Sequence, residues 1–314
     1  MKTYDVVIVG AGPAGLCAAL YCGRSMLKTL LLEKGVPGGE LLNTELIEDY
    51  IGFESVHGFE LAEKMTQHAL KFGAELVTDA VASVEKRPDG RFTVTTESGE
   101  QYEAPAVILT AGGTPVKLGV PGELEYAGKG VSYCAVCDGH FFRGEIVAVV
   151  GGGDAACEEA EFLTRYASRV HIVHRRHEFR ASKIIQQRVF ANPKIEVVWD
   201  SVVERIEGDG GAVRQLALKN VKTGATSQVP VGGVFVFVGF KPNTGVVKGH
   251  FTHDEGGYFI TDSNTMSSIP GLFAAGDVRA QLTRQVTTAV GDATTAAMAV
   301  SKYLDHLKTG KAVG

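Results

Sequence analysis

The stretch Asp5-Val6-Val7-Ile8-Val9-Gly10-Ala11-Gly12-Pro13-Ala14-Gly15 returns in outline as Ile146-Val147-Ala148-Val149-Val150-Gly151-Gly152-Gly153-Asp154-Ala155-Ala156. Each is a β-branched run that ends in glycines and then opens a helical pattern: Leu16-Cys17-Ala18-Ala19-Leu20-Tyr21 in one, Cys157-Glu158-Glu159-Ala160-Glu161-Phe162-Leu163 in the other. Strand, Gly-x-Gly-x-x-Gly/Ala turn and helix, in that order, form the phosphate-binding end of a βαβ unit. Gly10 permits the tight turn, Gly12 lets backbone approach a pyrophosphate beside Pro13 and Ala14, and Gly15 lets helix pack on strand. In the second copy Gly152, Gly153 and Asp154 take the equivalent places, and alanine ends the motif.

Further strands are predicted at 29–32, 92–96, 106–110, 169–173, 195–199 and 234–238. Strands alternating with helices predict an α/β fold of doubly wound parallel sheets, with two Rossmann-like dinucleotide-binding domains. The second fingerprint starts mid-chain, and the turn-rich Gly239-Phe240-Lys241-Pro242-Asn243 follows it, with Gly276-Asp277 near the C-terminus. This order implies one domain inserted into the other: 1–113 and 244–314 as one, 114–243 as the insert, with Gly/Pro-rich crossings able to act as a hinge.

Composition narrows the function classes. The chain has 314 residues, 45% of them hydrophobic, with 39 glycines, which suits two tightly turned α/β domains. A net charge of −5 with scattered basic residues does not suggest a nucleic-acid partner. No apolar run approaches the roughly 18 residues of a membrane helix. A strand begins almost at once at the N-terminus, so a cytoplasmic protein without a signal peptide is expected. Five cysteines are too few for a disulfide scaffold. Cys17, Cys22 and Cys157 fall in helical patterns and read as small buried hydrophobes. Only Cys134-Ala135-Val136-Cys137 has redox or metal spacing, and with no second Cys-x-x-Cys, a redox pair is expected and no metal.

The two fingerprints differ where the ribose would lie. Glu33 closes the second strand of the first unit, placed to accept from a ribose hydroxyl. The second unit has His174-Arg175-Arg176-His177-Glu178-Phe179-Arg180 there. A carboxylate repels a 2′-phosphate and a guanidinium fork binds it, so the second site reads as an NADPH site and the first as a site for FAD. A flavin is needed because a nicotinamide delivers hydride, whereas a disulfide is opened by an electron pair.

With these elements in order, the chain resembles the low-molecular-weight thioredoxin reductases over nearly its whole length. The resemblance rests on Gly10-x-Gly12-x-x-Gly15, Gly38-Gly39-Glu40-Leu41, Thr110-Ala111-Gly112-Gly113, Cys134-x-x-Cys137-Asp138-Gly139, Gly151-Gly152-Gly153, His174-Arg175-Arg176-x-x-x-Arg180, Ala274-Ala275-Gly276-Asp277-Val278 and Arg284-Gln285. It implies a homodimer with one FAD per subunit that reduces thioredoxin at the expense of NADPH. It further implies that Cys137 lies against the flavin, that Cys134 attacks the partner disulfide, and that Asp138 protonates the departing thiolate. Gly39, Glu40, Leu41, Asp49 and Gly112 would belong to the FAD site, with Asp277 at the ribityl-phosphate region and Gln285 beside the ring. The inserted domain would rotate, because one flavin face cannot serve nicotinamide and disulfide together.

The chain departs from that pattern at Val136, where threonine is common, at Glu40, where glutamine is frequent, and at Asp49-Tyr50-Ile51, in place of Asn-x-Pro. His140 could share the acid role of Asp138. Alternatives are a flavin disulfide reductase for another carrier, such as a peroxiredoxin-reducing or glutaredoxin-like system, and an FAD dithiol oxidase, which would have no need of the arginines. A ferredoxin–NADP reductase would not need the cysteines, and a redox sensor would not need two nucleotide sites.

Overall fold

The computed structural model describes residues 1–44 and 46–309; the end of the expected last segment, 310–314, lies outside them. The chain divides into two compact units, one formed by Met1–Thr114 with the residues from Lys241 onward, the other by Pro115–Phe240.

The first unit is built on a five-stranded parallel sheet with the spatial order Leu272–Ala274, Ala106–Leu109, Val6–Val9, Thr29–Glu33, Glu75–Thr78. Val6–Val9 and Ala106–Leu109 are buried at every position, as continuous apolar runs must be when both faces of a sheet are covered. Alternate residues serve the two faces. Val6, Ile8, Ala106 and Ile108 pack against the fingerprint helix Pro13–Arg24 and the C-terminal helix Val286–Thr309. That long helix buries a stripe of small residues, including Ala289, Ala293, Ala296 and Ala297, which brings its backbone close to the fingerprint helix. Val7, Val9, Val107 and Leu109 face the other way, onto Phe92, Val94 and Tyr102.

The second unit repeats this plan. Its parallel sheet has the order Val131–Ser132, Gly233–Phe237, Ile146–Gly151, Arg169–Val173, Ile195–Val198. In both units the fingerprint strand is central, and each glycine turn therefore opens at the middle of the carboxyl edge, where α/β sheets bind ligands.

The expected strand positions are found to within a residue or so, but one expected pairing is corrected. Phe92–Thr96 is not in a parallel sheet; it is the middle of an antiparallel meander, between Val81–Lys86 and Gln101–Ala104. Phe92, Val94 and Thr96 are buried while Thr93 and Thr95 between them are only partly so, the signature of a sheet with one covered face. The second unit carries the matching meander Ser201–Gly208, Val213–Asn220, Thr226–Pro230 at the same point of its topology. No described helix is long and apolar enough to cross a membrane.

Candidate active site

In the first unit the three fingerprint glycines have three separate causes. Gly10 has φ +101°, and a Cβ there would lie 2.7 Å from Thr110 O. A Cβ on Gly15 would lie 1.8 Å from Gly10 O, so only glycine allows this approach of helix and strand. Gly12 is different: the one atom its Cβ would meet within 4 Å is Gly39 Cα, at 3.8 Å. That position is open, and it is the N-cap of a helix whose first turn has Pro13 and no side-chain cap. Uncapped N–H groups and the helix dipole make this end an anion site.

Three segments converge on it. Glu33 accepts the Ala11 N–H at Oε2 (2.7 Å) and the Gly35 N–H at Oε1 (3.1 Å), which holds its carboxylate beside the turn. Gly38 donates to Ala11 O at 2.8 Å and leads into Gly39 at φ +56°, then into exposed Glu40 and buried Leu41. Gly276, at φ +73°, packs on Ala14, where a Cβ would come within 3.0 Å of the Ala14 Cβ. The Gly276 loop is braced by residues the sequence did not single out: Asp292 accepts the Gly276 N–H at 3.2 Å and pairs with Arg279, whose Nε reaches Thr261 at 3.0 Å. No spacing rule links these three, since only the fold brings them together.

Glu40 and Asp277 stand one residue beyond those contacting glycines. Crowding by protein raises both carboxyls above their ordinary range. Asn43 and Lys34 oppose the shift at Glu40, and Arg284 opposes it at Asp277. The two carboxyls also repel one another. Arg284 lies over the Tyr258 ring at 4.0 Å, and exposed Gln285 precedes the C-terminal helix. Gly112, at φ +57°, accepts the Asn243 N–H at 3.0 Å. Asp49 is not joined to this group: it stands exposed in the loop between Leu46–Ile47 and Val56–His57.

In the second unit, Cys134 and Cys137 form a disulfide with Cα atoms 5.3 Å apart. Cys134 caps the short helix Ala135–Asp138, its Sγ accepting the Cys137 N–H at 3.1 Å. One helical turn is what a Cys-x-x-Cys spacing needs to bring i and i+3 together. Cys137 is exposed, Cys134 and Asp138 are half-buried, and Val136 packs towards the core. Cys22 and Cys157 are buried, as small apolar side chains should be; Cys17 is half-buried with its thiol 3.3 Å from Val290 O.

The second fingerprint separates in the same way as the first. A Cβ on Gly152 would strike His174 Nδ1 at 2.2 Å, whereas one on Gly153 would meet nothing within 4 Å. Gly153 is the open N-cap of helix Asp154–Leu163, again with no side-chain cap. His174 is buried, with Nε2 3.0 Å from Glu178 O and its ring against Phe179 and Trp199. It therefore shapes the turn from inside, and burial lowers its pKa. Asp154 accepts the Ser182 N–H at 2.7 Å and ties the end of the arginine loop to the fingerprint helix. Arg175, Arg176 and Arg180 are exposed. An open glycine at a helix N-terminus with three exposed guanidinium groups on the adjoining strand-end loop fits a phosphorylated dinucleotide. The first site, with Glu33 in that place, fits one without a 2′-phosphate.

Comparison with known proteins agrees with this chemistry. Residues 4–293 match the family described as pyridine nucleotide-disulphide oxidoreductase. The thioredoxin reductase of Listeria innocua is 47% identical over 308 residues, 98% of this chain and 96% of that one. That of Bacillus subtilis is 46% identical over the same share of each. The crystal structure of Lactococcus lactis thioredoxin reductase superposes with a TM-score of 0.94 at 46% identity, covering 96% of this chain and 99% of that one. FAD and NADPH are the cofactors of such an enzyme and suit the two sites described. The chain is an oxidoreductase that belongs to the pyridine nucleotide-disulphide oxidoreductase family.

Proposed function

We propose that the protein is an NADPH-dependent thioredoxin-disulfide reductase, acting through FAD and the Cys134/Cys137 pair. The observation that carries this reading is the Cys134–Cys137 disulfide on one helical turn with Cys137 exposed, in the unit whose fingerprint adjoins three exposed arginines. The first unit would hold FAD, through Gly10, Gly12, Pro13, Ala14, Gly15, Glu33, Gly39, Glu40, Leu41, Gly112, Gly276, Asp277, Arg284 and Gln285, whereas Asp49 stands apart from this group. The second would hold NADPH, its pyrophosphate at Gly153 and its 2′-phosphate at Arg175, Arg176 and Arg180, with Gly152, Asp154 and His174 shaping the turn. The domain boundaries would fall near residues 114 and 243.

FAD, when bound, supplies the chemistry that turns a hydride from NADPH into an electron pair for a disulfide. The chain's own part begins with the dithiol. The Cys134 thiolate attacks one sulfur of the partner's disulfide, that S–S bond breaks, and a mixed disulfide forms while Asp138 gives a proton to the departing thiolate. The Cys137 thiolate then attacks Cys134 Sγ, which restores the Cys134–Cys137 bond and releases the partner's second sulfur as a thiolate, and that takes a proton from water to complete the dithiol. A homodimer working in the cytoplasm completes the reading.

The test is the initial rate of thioredoxin-disulfide reduction by purified protein with NADPH and NADH in parallel, for native chain and Cys134→Ser. Turnover with NADPH, little with NADH, and none in Cys134→Ser despite flavin reduction by NADPH is the expected result. Undiminished thioredoxin reduction by Cys134→Ser would refute the mechanism, and flavin reduction without thioredoxin turnover would move the activity to another disulfide.

A further inference from the structure

Glu123 is among the most deeply buried charged side chains of the second unit, 1% exposed. It accepts three hydrogen bonds: from the Leu118 N–H at Oε1 (2.8 Å), the Gly119 N–H at Oε2 (2.7 Å) and the Tyr133 hydroxyl at Oε1 (2.8 Å). A carboxyl in an apolar setting, here among Leu118, Val120, Tyr126 and Tyr133, is costly unless donors converge on it. One of those donors is the Tyr133 hydroxyl, on the residue before Cys134.

At that point the backbone leaves its sheet ladder and enters the turn that carries Cys134. Val131–Ser132 is a strand of two residues, paired with Val234 and Phe235 and bonded on its other side through the Val131 N–H to Tyr126 O and the Val131 O to the Gly128 N–H, and the ladder ends before Tyr133. Beyond it, side chains take over. Ser132 Oγ accepts the Cys134 N–H at 3.0 Å and lies 3.1 Å from Cys134 O. Tyr133, at the bend that follows, ends on Glu123 through its hydroxyl. Burial and the Glu123 bond both raise the Tyr133 phenol, so it stays a donor throughout the working pH range.

We propose that Glu123 is a positioning residue for the dithiol: through the Tyr133 phenol it fixes the backbone that carries Cys134, and so sets the equilibrium between the Cys134–Cys137 disulfide and its dithiol. Holding Cys134 in place lowers the entropy lost when the disulfide ring closes. Releasing it favours the open dithiol. This rests on the reading of Cys134 and Cys137 as the redox pair, but not on the identity of the protein partner.

The test equilibrates the FAD-loaded protein in buffers of reduced and oxidised dithiothreitol. Two electrons and two protons pass from the dithiothreitol thiols to Cys134–Cys137, closing the reagent's own ring. The dithiol fraction is counted by alkylation and mass spectrometry, alongside thermal unfolding. Tyr133→Phe keeps the ring and removes the hydroxyl. Glu123→Gln keeps the shape but turns an amide towards the Gly119 N–H.

Both are expected to shift the equilibrium towards the dithiol by about five- to tenfold, part of the roughly 10- to 100-fold that one charge-assisted hydrogen bond is worth. A tenfold shift corresponds to about 30 mV for two electrons. Variants that melt earlier yet equilibrate within twofold of the native protein would show a structural bond only and overturn the proposal. A native disulfide that no dithiothreitol buffer opens would overturn both the proposal and the redox reading beneath it.

Discussion

Gly152 and Gly153 are neighbours, yet replacing each by alanine is expected to damage the protein in a different way. At Gly152 the new methyl would stand 2.2 Å from His174 Nδ1 and 2.3 Å from Cε1. Comfortable carbon contacts need about 3.5–4.0 Å, so ring or turn must move by roughly an ångström. The buried ring is restrained, with Nε2 3.0 Å from Glu178 O and Phe179 and Trp199 packed against it. Overpacking a filled site costs about 1–3 kcal/mol, or roughly 5–10 °C in the melting temperature of a unit this size. Because the Arg180 N–H bonds to Gly152 O at 2.8 Å, the arginine loop would shift as well.

At Gly153 a methyl meets nothing within 4 Å, and the backbone, at φ −97° and ψ −176°, suits alanine. The fold should lose less than about 1 kcal/mol, as glycine is only a modest N-cap. The methyl would nevertheless stand where a pyrophosphate must approach the helix N-terminus. Forfeiting one charge-assisted hydrogen bond there costs about 1.5–3 kcal/mol, a loss of roughly 10- to 100-fold in affinity. Differential scanning calorimetry and titration calorimetry with NADP+ separate the two effects. Native-like NADP+ binding by Gly153→Ala would refute the placement of the pyrophosphate, and an unchanged melting temperature in Gly152→Ala would refute the packing argument.

Replacing exposed Arg176 by alanine should raise KM for NADPH by about tenfold and leave that for NADH unchanged, the size expected of one guanidinium–phosphate contact; equal effects on both nucleotides in steady-state kinetics would remove Arg176 from the 2′-phosphate site. In the FAD-free protein Glu40 and Asp277 hold protons more tightly than in the unfolded chain, mainly because the surrounding protein displaces water from their carboxyls. Their contribution to stability is therefore complete below the unfolded carboxyl range near about 4 and lost as pH rises through the raised values. Glu40→Gln removes one share of that loss, so its melting temperature should exceed the native value at pH 7 but match it at pH 4. An equal difference at both pH values would show that titration of Glu40 is not the cause.

Several parts of the site were legible because they depend on neighbours in sequence. A β-branched run that ends in spaced glycines and opens a helical pattern is a local signal of a buried strand and a phosphate turn, so both fingerprints, their strands and the Cys134/Cys137 pair could be read directly. Glu33 could be placed because one βαβ unit fixes its distance from the turn. The antiparallel meanders could not be told from the parallel strands, because Phe92–Thr96 is rich in β-branched and aromatic residues in either case. Its pairing partners, lying on either side in sequence, decide the direction.

Other roles were settled by tertiary contact alone. His174 reads in sequence like one more basic residue of the arginine loop, yet it is buried beneath Gly152. Gly152 and Gly153 look interchangeable until one is found filled and the other open. Glu123 carries no motif, and its three donors come from Leu118, Gly119 and Tyr133. Sequence determines these local shapes because hydrogen bonding and sterics act over a few residues. The depth at which a side chain lies, and the groups that surround it there, depend on segments far apart in the chain, and that is what separates a binding residue from one that only holds its neighbours in place.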